Sequence, residues 1–373
     1  MAERKVELLV PAGSLEVLKV AVDYGADAVY IGGQAYGLRA KADNFSIEEM
    51  KKAVKYAHAK NAKVYVTANI FAHNYDIEGM KAYFEQLKDT GVDAVLVSDP
   101  GIFMLAKEIM PDMELHISTQ ANNTNYLTYN FWYNMGAKRV VTARELSLVE
   151  IKQIREHIPE DMEIESFMHG AMCISYSGRC LLSSYFTGRD ANRGACTHPC
   201  RWKYHIVEET RPGEYMPVNE DDRGTYIFNS KDLCMIEHIP EMIDAGIDSF
   251  KIEGRMKSPE YVAGVSYAYR KYVDMYLEKG RDGYRVEEQD IRQLMDLYNR
   301  GGFCKGYYYA QNDKSMMTFD RPNHQGIVIG NIKNGELILS QEVNPGDVLE
   351  FPDGSEYTTP TGKKSGRLAL HKG

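Results

Sequence analysis

Short unbroken apolar runs alternate along most of this chain with longer stretches in which apolar residues recur every three or four positions. The first texture is that of parallel strands buried on both faces, the second that of amphipathic helices lying on a sheet. Strands are expected at Val6–Pro11, Ala28–Gly32, Lys63–Asn69, Ala94–Asp99, Glu114–Gln120, Arg139–Arg144, Met162–His169 and Ser249–Gly254. Ser14 with Glu16 opens a first helix, and Ser46-Ile-Glu-Glu has the form of a capping box before Ile47–Lys60. Further helices are expected at Ile77–Thr90, Gly101–Ile109, Tyr126–Met135, Leu148–His157, Ile236–Ala245 and Pro259–Glu278. A phrase recurs at the joints: Gly25-Ala-Asp, Gly91-Val-Asp, Gly136-Ala-Lys and Gly246-Ile-Asp, each followed by an apolar run. Glycine there suits the left-handed position that ends a helix, and the run after it is the next strand.

Eight strand–helix alternations predict an α/β fold, a (β/α)8 TIM-like barrel. The alternative is an open doubly wound sheet, which is less favoured because no G-x-G-x-x-G follows the first strand. The alternation breaks after the seventh strand, at residues 171–235, an insertion at the end of the barrel where such enzymes keep their chemistry. Within it, Arg201–Glu209 and Tyr215–Asn219 read as a hairpin and Thr225–Asn229 as a further short run. The chain is therefore divided into a barrel over 1–285 including this insertion, a helical connector over 286–322, and a small β-barrel-like domain over 323–373. In that last part Gly326–Gly330, Glu336–Leu339, Asp347–Phe351 and Glu356–Thr359 read as short strands between turns. Whether a last strand is missing from it is left open by the sequence.

Composition narrows the class little: 373 residues are ample for a large core, and the apolar and charged fractions are ordinary. No apolar run is long enough to span a membrane, and no leader precedes the first strand, so a cytoplasmic location is expected. The net charge of −9 argues against a wholly basic nucleic-acid-binding surface, though not against a local basic patch. Arg193, Arg201 and Lys203 are the nearest approach to one, and a solvated loop face is an equal reading of them. Tyrosine is abundant at 26 residues, and Tyr261, Tyr267, Tyr269, Tyr272 and Tyr276 fall at helical spacing. Packing is the main reading of those rings and base stacking the minor one. The oligomeric state is not legible.

The chemistry concentrates in the insertion. Cys173, Cys180, Cys196 and Cys200 fall within 28 positions, and Cys234 ends the insertion. Clustered thiols in a reducing compartment point to metal or redox chemistry before disulfides. They suit an iron–sulfur cluster, with zinc as the alternative; only Cys196/Cys200 shows the tight pairing usual in structural zinc sites. Cys304, outside the insertion, reads as a small buried residue. Strand ends supply the remaining candidates. Lys251, Glu253 and Arg255 alternate along the eighth strand, Glu165, Phe167 and His169 along the seventh, and His116, Ser118 and Gln120 along the fifth, with Asn122 beyond. Arg144 ends the sixth strand and Arg39 follows the second. Glu165, His169, Lys251, Glu253 and Arg255 are the catalytic candidates, and Arg39, His116, Gln120, Asn122 and Arg144 the substrate-binding ones. Arg and Lys in one pocket suit a small anion or a phosphate backbone. No G-x-S-x-G, H-E-x-x-H or P-loop is present, although His169 and His198 flank the cysteines as a cysteine peptidase would require.

The stretch Glu165-Ser-Phe-Met-His-Gly-Ala-Met-Cys-Ile-Ser-Tyr-Ser-Gly-Arg-Cys-Leu-Leu-Ser closely resembles the signature of the collagenase-like peptidase family of unassigned catalytic type. Glu165, Phe167, Gly170, Ala171, Met172, Cys173, Gly178, Cys180, Leu182 and Ser183 all fit it. Leu8-Leu-Val-Pro-Ala-Gly-Ser, Asn229-Ser-Lys-Asp-Leu-Cys and Lys251-Ile-Glu-Gly-Arg-Met-Lys-Ser extend the likeness over nearly the whole chain. The family name implies proteolysis. A subgroup sharing Cys-Thr-His-Pro-Cys-Arg-Trp implies something else: oxygen-independent, prephenate-dependent hydroxylation of tRNA wobble uridine to 5-hydroxyuridine. The resemblance further implies a [4Fe-4S] cluster on Cys173, Cys180, Cys196 and a fourth cysteine, which is Cys234 by some members and Cys200 by another.

Overall fold

The computed structural model describes residues 6–38, 43–202, 204, 206–207, 210, 215–216, 228–310, 314–318, 322–333, 336–364 and 366–368. Two compact units are present, Met1–Gln325 and Gly326–Gly373.

In the first unit the expected alternation closes on itself. Strands β1 (Glu7–Pro11), β2 (Ala28–Gly32), β3 (Lys63–Thr67), β4 (Ala94–Val97), β5 (Glu114–Ile117), β6 (Arg139–Val141) and β7 (Glu163–Ala171) pair in sequence order. Helices α1 (Leu15–Asp23), α2 (Ile47–His58), α3 (Ile77–Leu87), α4 (Pro100–Ile109), α5 (Tyr126–Met135) and α6 (Leu148–Glu156) lie between them. The insertion follows, with α7 (Leu182–Thr187), the hairpin β8 (Ile206–Val207) and β9 (Tyr215–Met216), and β10 (Asp232–Cys234). After α8 (Ile239–Asp244) comes β11 (Ser249–Ile252), which pairs in parallel with both β7 and β1 and shuts an eight-stranded TIM-like barrel. The open-sheet alternative is thereby removed.

The recurring joint has a structural reason. Gly25, Gly91, Gly136 and Gly246 all take positive φ, so each turns the chain out of a helix where a side chain would be strained. Two residues on, Asp27, Asp93 and Asp248 accept hydrogen bonds from Leu8, Val64 and Ile164 N–H at 2.7–2.8 Å. Each aspartate therefore satisfies a main-chain donor on an adjacent strand at the bottom of the barrel. Helix starts follow the expected chemistry: Ser46 and Ser147 form reciprocal capping boxes with Glu49 and Glu150, and Ser14, Asp99, Asn125 and Ser258 cap their own helices. Of the helical tyrosines in α9 (Pro259–Gly283), Tyr261, Tyr269 and Tyr272 are core, whereas Tyr267 is exposed.

Three departures matter for the site. The strand β10, not among the strands expected from the sequence, adds antiparallel to β7 and parallel to β12 (Phe303–Cys304). Residues 286–322, expected as a helical connector, hold α10 (Glu288–Leu297) and then return through β12 to the main sheet. The β7–β11 ladder slips between Lys251 and Ile252, where Phe167 and then His169 are the successive partners, so Met168 is an extra residue. Beyond that bulge the alternation inherited from Glu165 and Phe167 no longer places His169 inside the barrel; it packs instead on Tyr261 and Tyr269 of α9.

The second unit has β13 (Gly330–Lys333), β14 (Glu336–Leu339) and β17 (Gly366–Leu368) in one antiparallel sheet and β15 (Val348–Glu350) with β16 (Glu356–Thr358) in another. Leu337, Leu339, Val343 and Leu349 form its core. Among the described residues no strand pairing closes the two sheets into a barrel. The first strand starts at Gly330 rather than Gly326, as its pairing with Leu339 requires.

Candidate functional site

The barrel interior is layered by strand position. At its lower end Glu7, Tyr65, Arg139, Glu165 and Ser249 form one polar layer. Arg139 Nη1 lies 2.5 Å from Glu7 Oε1 and 3.3 Å from Glu165 Oε2, and Tyr65 and Ser249 hydroxyls donate to Glu7. Burial pushes the Glu7 carboxyl up, but Arg139 and the hydroxyl donors outweigh it and hold Glu7 at about 2. Lys251 Nζ reaches down to Glu165 Oε1 at 2.7 Å. Three carboxylates, counting the part-exposed Glu163 at 2.6 Å from Arg139, thus share two buried cations.

Two residues further along each strand, Tyr30, Thr67, Leu96, Ser118, Val141, Phe167 and Lys251 floor a cavity of about 420 Å³ that opens at the C-terminal mouth. Its upper walls come from the insertion and include Cys173, Cys180, Cys196 and Cys200. Arg144, Lys251, Arg255, Arg201 and Arg300 also line it, against one carboxylate among the described residues, Glu253. Arg255 Nη1 donates to Thr67 Oγ1 at 3.2 Å, and Tyr30 donates to Glu253 Oε2 at 3.3 Å. Gln120 faces in with its Oε1 unpartnered, as is Oδ1 of Asn69. A cavity of this size suits one small molecule or one nucleobase, and its excess of cations suits an anion.

Several expected site residues therefore converge and several do not. Gln120, Arg144, Lys251, Glu253 and Arg255 line the cavity. Glu165 and His116 share the predicted strand faces but lie two residues deeper, roughly 6–7 Å below the floor-forming positions by strand rise, and neither lines it. His116 is fully buried against Tyr65, and burial lowers its affinity for a proton. His169, displaced by the bulge, is buried and held down to about 3 by desolvation. Asn122 is a positioning residue: in left-handed conformation, it donates to the Ser177 carbonyl at 2.5 Å and accepts from Arg179 Nε at 2.9 Å. Arg144 donates to Ser177 Oγ at 2.7 Å, so both brace the loop between Cys173 and Cys180. Arg39 and Lys203 lie outside the described residues.

The described part of the insertion is tied down at several points. Arg193, expected as a basic surface residue, makes a bidentate pair with Asp76 at 2.6 and 2.9 Å and donates to Phe71 O. Arg201, expected on a solvated face, turns inward to Asn229, Ser230 and Met172 main- and side-chain oxygens. Gly170 and Gly178 of the signature sit where positive φ and crowding exclude a side chain: a Cβ would fall 2.5 Å from Glu253 O and 2.8 Å from the Phe71 ring. Neither Arg300 nor Lys257 was among the expected site residues, although Lys257 lies in the stretch Lys251-Ile-Glu-Gly-Arg-Met-Lys-Ser. Arg300 pairs with the buried Asp232 at 2.5 Å. Lys257 lies over the Tyr298 ring, and burial with Arg300 and Arg201 nearby brings its amine down to about 7. Arg201 carried a signal, its place directly after Cys200; Arg300 lies far along the chain with none.

Of the cysteines, four share the cavity and the fifth candidate does not. Cys200 is pushed up to about 11 by burial, with the thiols of Cys173, Cys196 and Cys180 close enough to add to the shift. Cys234 sits on β10 opposite His169, against Tyr269 OH at 3.8 Å, and burial pushes it up to about 12. Among the described residues no three His, Cys, Asp or Glu side chains gather at the spacing of a single bound ion. Cys173, Cys180, Cys196 and Cys200 nevertheless line one cavity, and four soft thiol donors are the ligand type that an iron–sulfur cluster or zinc takes. Cys304 is buried beneath, beside Lys231 O.

A TIM-like barrel with a cysteine-walled, cationic cavity at its mouth defines the class. The chain belongs to peptidase family U32, whose model matches residues 13–318. It is 48% identical over 93% of its length to tRNA hydroxylation protein P1 of Bacillus subtilis (strain 168), covering 83% of that protein. It is 43% identical over 93% to tRNA hydroxylation protein P of Escherichia coli (strain K12), covering 86%. An uncharacterized protease of Methanocaldococcus jannaschii is 44% identical over 92% of this chain and 86% of its own length. Among the described residues no helix is long and apolar enough to cross a membrane.

Proposed function

We propose that this chain is a tRNA-modifying enzyme of the cytoplasm that converts a wobble uridine to 5-hydroxyuridine without molecular oxygen, with prephenate as its small anionic co-substrate. A [4Fe-4S] cluster on Cys173, Cys180, Cys196 and Cys200 is part of the proposal. The observation that carries it is the meeting of those four thiols with five cationic side chains in one cavity of nucleobase size. The identity with tRNA hydroxylation proteins supports the same substrate class.

Within that reading the chain's own groups divide the work. Arg144 and Arg255 are placed to pair with the carboxylates of a dicarboxylate, while Arg201, held by Asn229, Ser230 and Met172, and Arg300, held by Asp232, add positive potential to the lining. Phe167 and Tyr30 flank Lys251 and give the floor flat apolar surface for a ring. Glu253, the carboxylate of the lining, is placed to move a proton at the substrate, and Tyr30 steadies it. Glu165 and Arg139 fix Lys251 from below without reaching substrate. A bound cluster would supply one-electron chemistry at the cavity wall. The peptidase reading, carried by the family name, loses Glu165 and His169, which do not line the cavity, and keeps His198, which lines it beside Cys196 and Cys200.

The test is iron, acid-labile sulfide and the visible spectrum of protein purified without air, for the unaltered chain, Cys200→Ala and Cys234→Ala. About four iron per chain, lost in Cys200→Ala and kept in Cys234→Ala, is expected. Zinc or no metal in the unaltered protein overturns the cluster, and retention in Cys200→Ala overturns the ligand set. Transfer RNA from a gene-deleted strain complemented with Cys173→Ala should lack 5-hydroxyuridine; its presence refutes the activity.

A further inference from the structure

The short helix α7 and the chain after Cys200 carry more exposed aromatic surface than their size requires. Tyr185 is 82% exposed, Phe186 46% and Trp202 40%, with Leu181 at 71% beside them. The rings are not scattered. Tyr185 meets Phe186 edge to face at 5.1 Å, and Phe186 meets Trp202 at 5.8 Å and Tyr204 at 6.1 Å. Trp202 also lines the cysteine-walled cavity, so the row runs from open surface to the cavity mouth. Arg179 and Arg189 are exposed on the same insertion. Burying these rings in the core would have been favourable; a row left in water is expected where something flat covers it.

We propose that Tyr185, Phe186 and Trp202 form a stacking platform for the unpaired bases of a single-stranded RNA loop, which guides one base into the cavity. The proposal rests on the tRNA reading above and adds the surface that would recognise the substrate. Flat rings on an insertion that also exposes Arg179 and Arg189 match unpaired bases and their phosphates, whereas a paired stem offers no open base face. Continuity with a cavity sized for one base gives the row a direction. A 420 Å³ cavity admits one base and not a helix, so the flanking nucleotides must lie outside on the rim, where the row is. With a net charge of −9 the chain offers RNA no bulk positive charge, so stacking acts together with the local cations of the cavity mouth.

The experiment titrates anaerobically purified full chain with a fluorescein-labelled anticodon stem–loop, and with a blunt duplex of equal length, reading anisotropy. The variants are Tyr185→Ala, Phe186→Ala and Tyr185→Phe. The stem–loop is expected to bind more tightly than the duplex. Each alanine should weaken the stem–loop about tenfold, as loss of one base–ring stack implies, while Tyr185→Phe restores binding. Circular dichroism and iron content unchanged from the unaltered chain certify that the insertion remains folded. Trp202 provides an independent signal, since the other tryptophan, Trp132, is buried: its emission should be quenched by the stem–loop and not by the duplex. Tight stem–loop binding that the alanines leave within twofold overturns the platform while sparing the tRNA reading. No binding of the stem–loop by the unaltered chain overturns the tRNA reading itself. Alanines that spare RNA binding but convert an oligomer to monomer in sedimentation overturn the platform in favour of a protein–protein face.

Discussion

Arg139→Met should be the most damaging single change at the closed end of the barrel, and its penalty should depend on pH. Arg139 is 3% exposed and within 3.3 Å of three carboxylates, so removing it leaves negative charge in the interior. Breaking such a buried pair costs about 3–5 kcal/mol. Glu7 gives a separate figure. Its carboxyl falls from 4.5 to about 2 on folding, which is worth about 3 kcal/mol at neutral pH. Because the folded value is the lower one, this stabilisation is complete above pH 4.5 and drains away as pH falls toward 2. At pH 3 only about 1 kcal/mol of it is left. The assay is urea unfolding of both proteins at pH 7 and pH 3, with reversibility checked. The gap between them should be about 3 kcal/mol or more at pH 7 and shrink by about 2 kcal/mol at pH 3. A variant within about 1 kcal/mol at pH 7, or a gap as wide at pH 3, refutes the reasoning.

Arg300→Leu and Arg255→Leu should each weaken binding of a small dicarboxylate such as prephenate by about 10- to 100-fold, measured by isothermal titration, since each removes positive charge from the cavity lining. Equal affinity in either variant would place the anion elsewhere. Lys257 has a folded value near 7, below its unfolded 10.5, so its charged form disfavours folding. Relative to Lys257→Met, the unaltered protein should therefore gain stability as pH rises from 7 to 10; a flat difference between the two unfolding midpoints would show that the amine is not desolvated.

Periodicity in the sequence was enough for the barrel. Eight apolar runs and the helical stretches between them admit few arrangements, and the Gly-x-Asp joint repeats because a parallel strand needs its first donor satisfied each time a helix hands over to it. The cysteine-bearing insertion and the Lys251, Glu253, Arg255 triplet were legible for the same reason, a local pattern with a local cause. Depth was not legible. Alternation says which face a side chain takes, not how far down the barrel it stands, and so Glu165 and His116 were grouped with Lys251 although they lie a layer below the cavity. One unannounced bulge at Met168 sent His169 outward. The choice between Cys200 and Cys234 as cavity thiol, the inward turn of Arg201, and the arrival of Arg300 all depend on β10 and β12 joining the sheet. Those contacts join residues distant in sequence, and no local rule encodes them; only the closed chain brings the thiols, the guanidinium groups and Glu253 around one space.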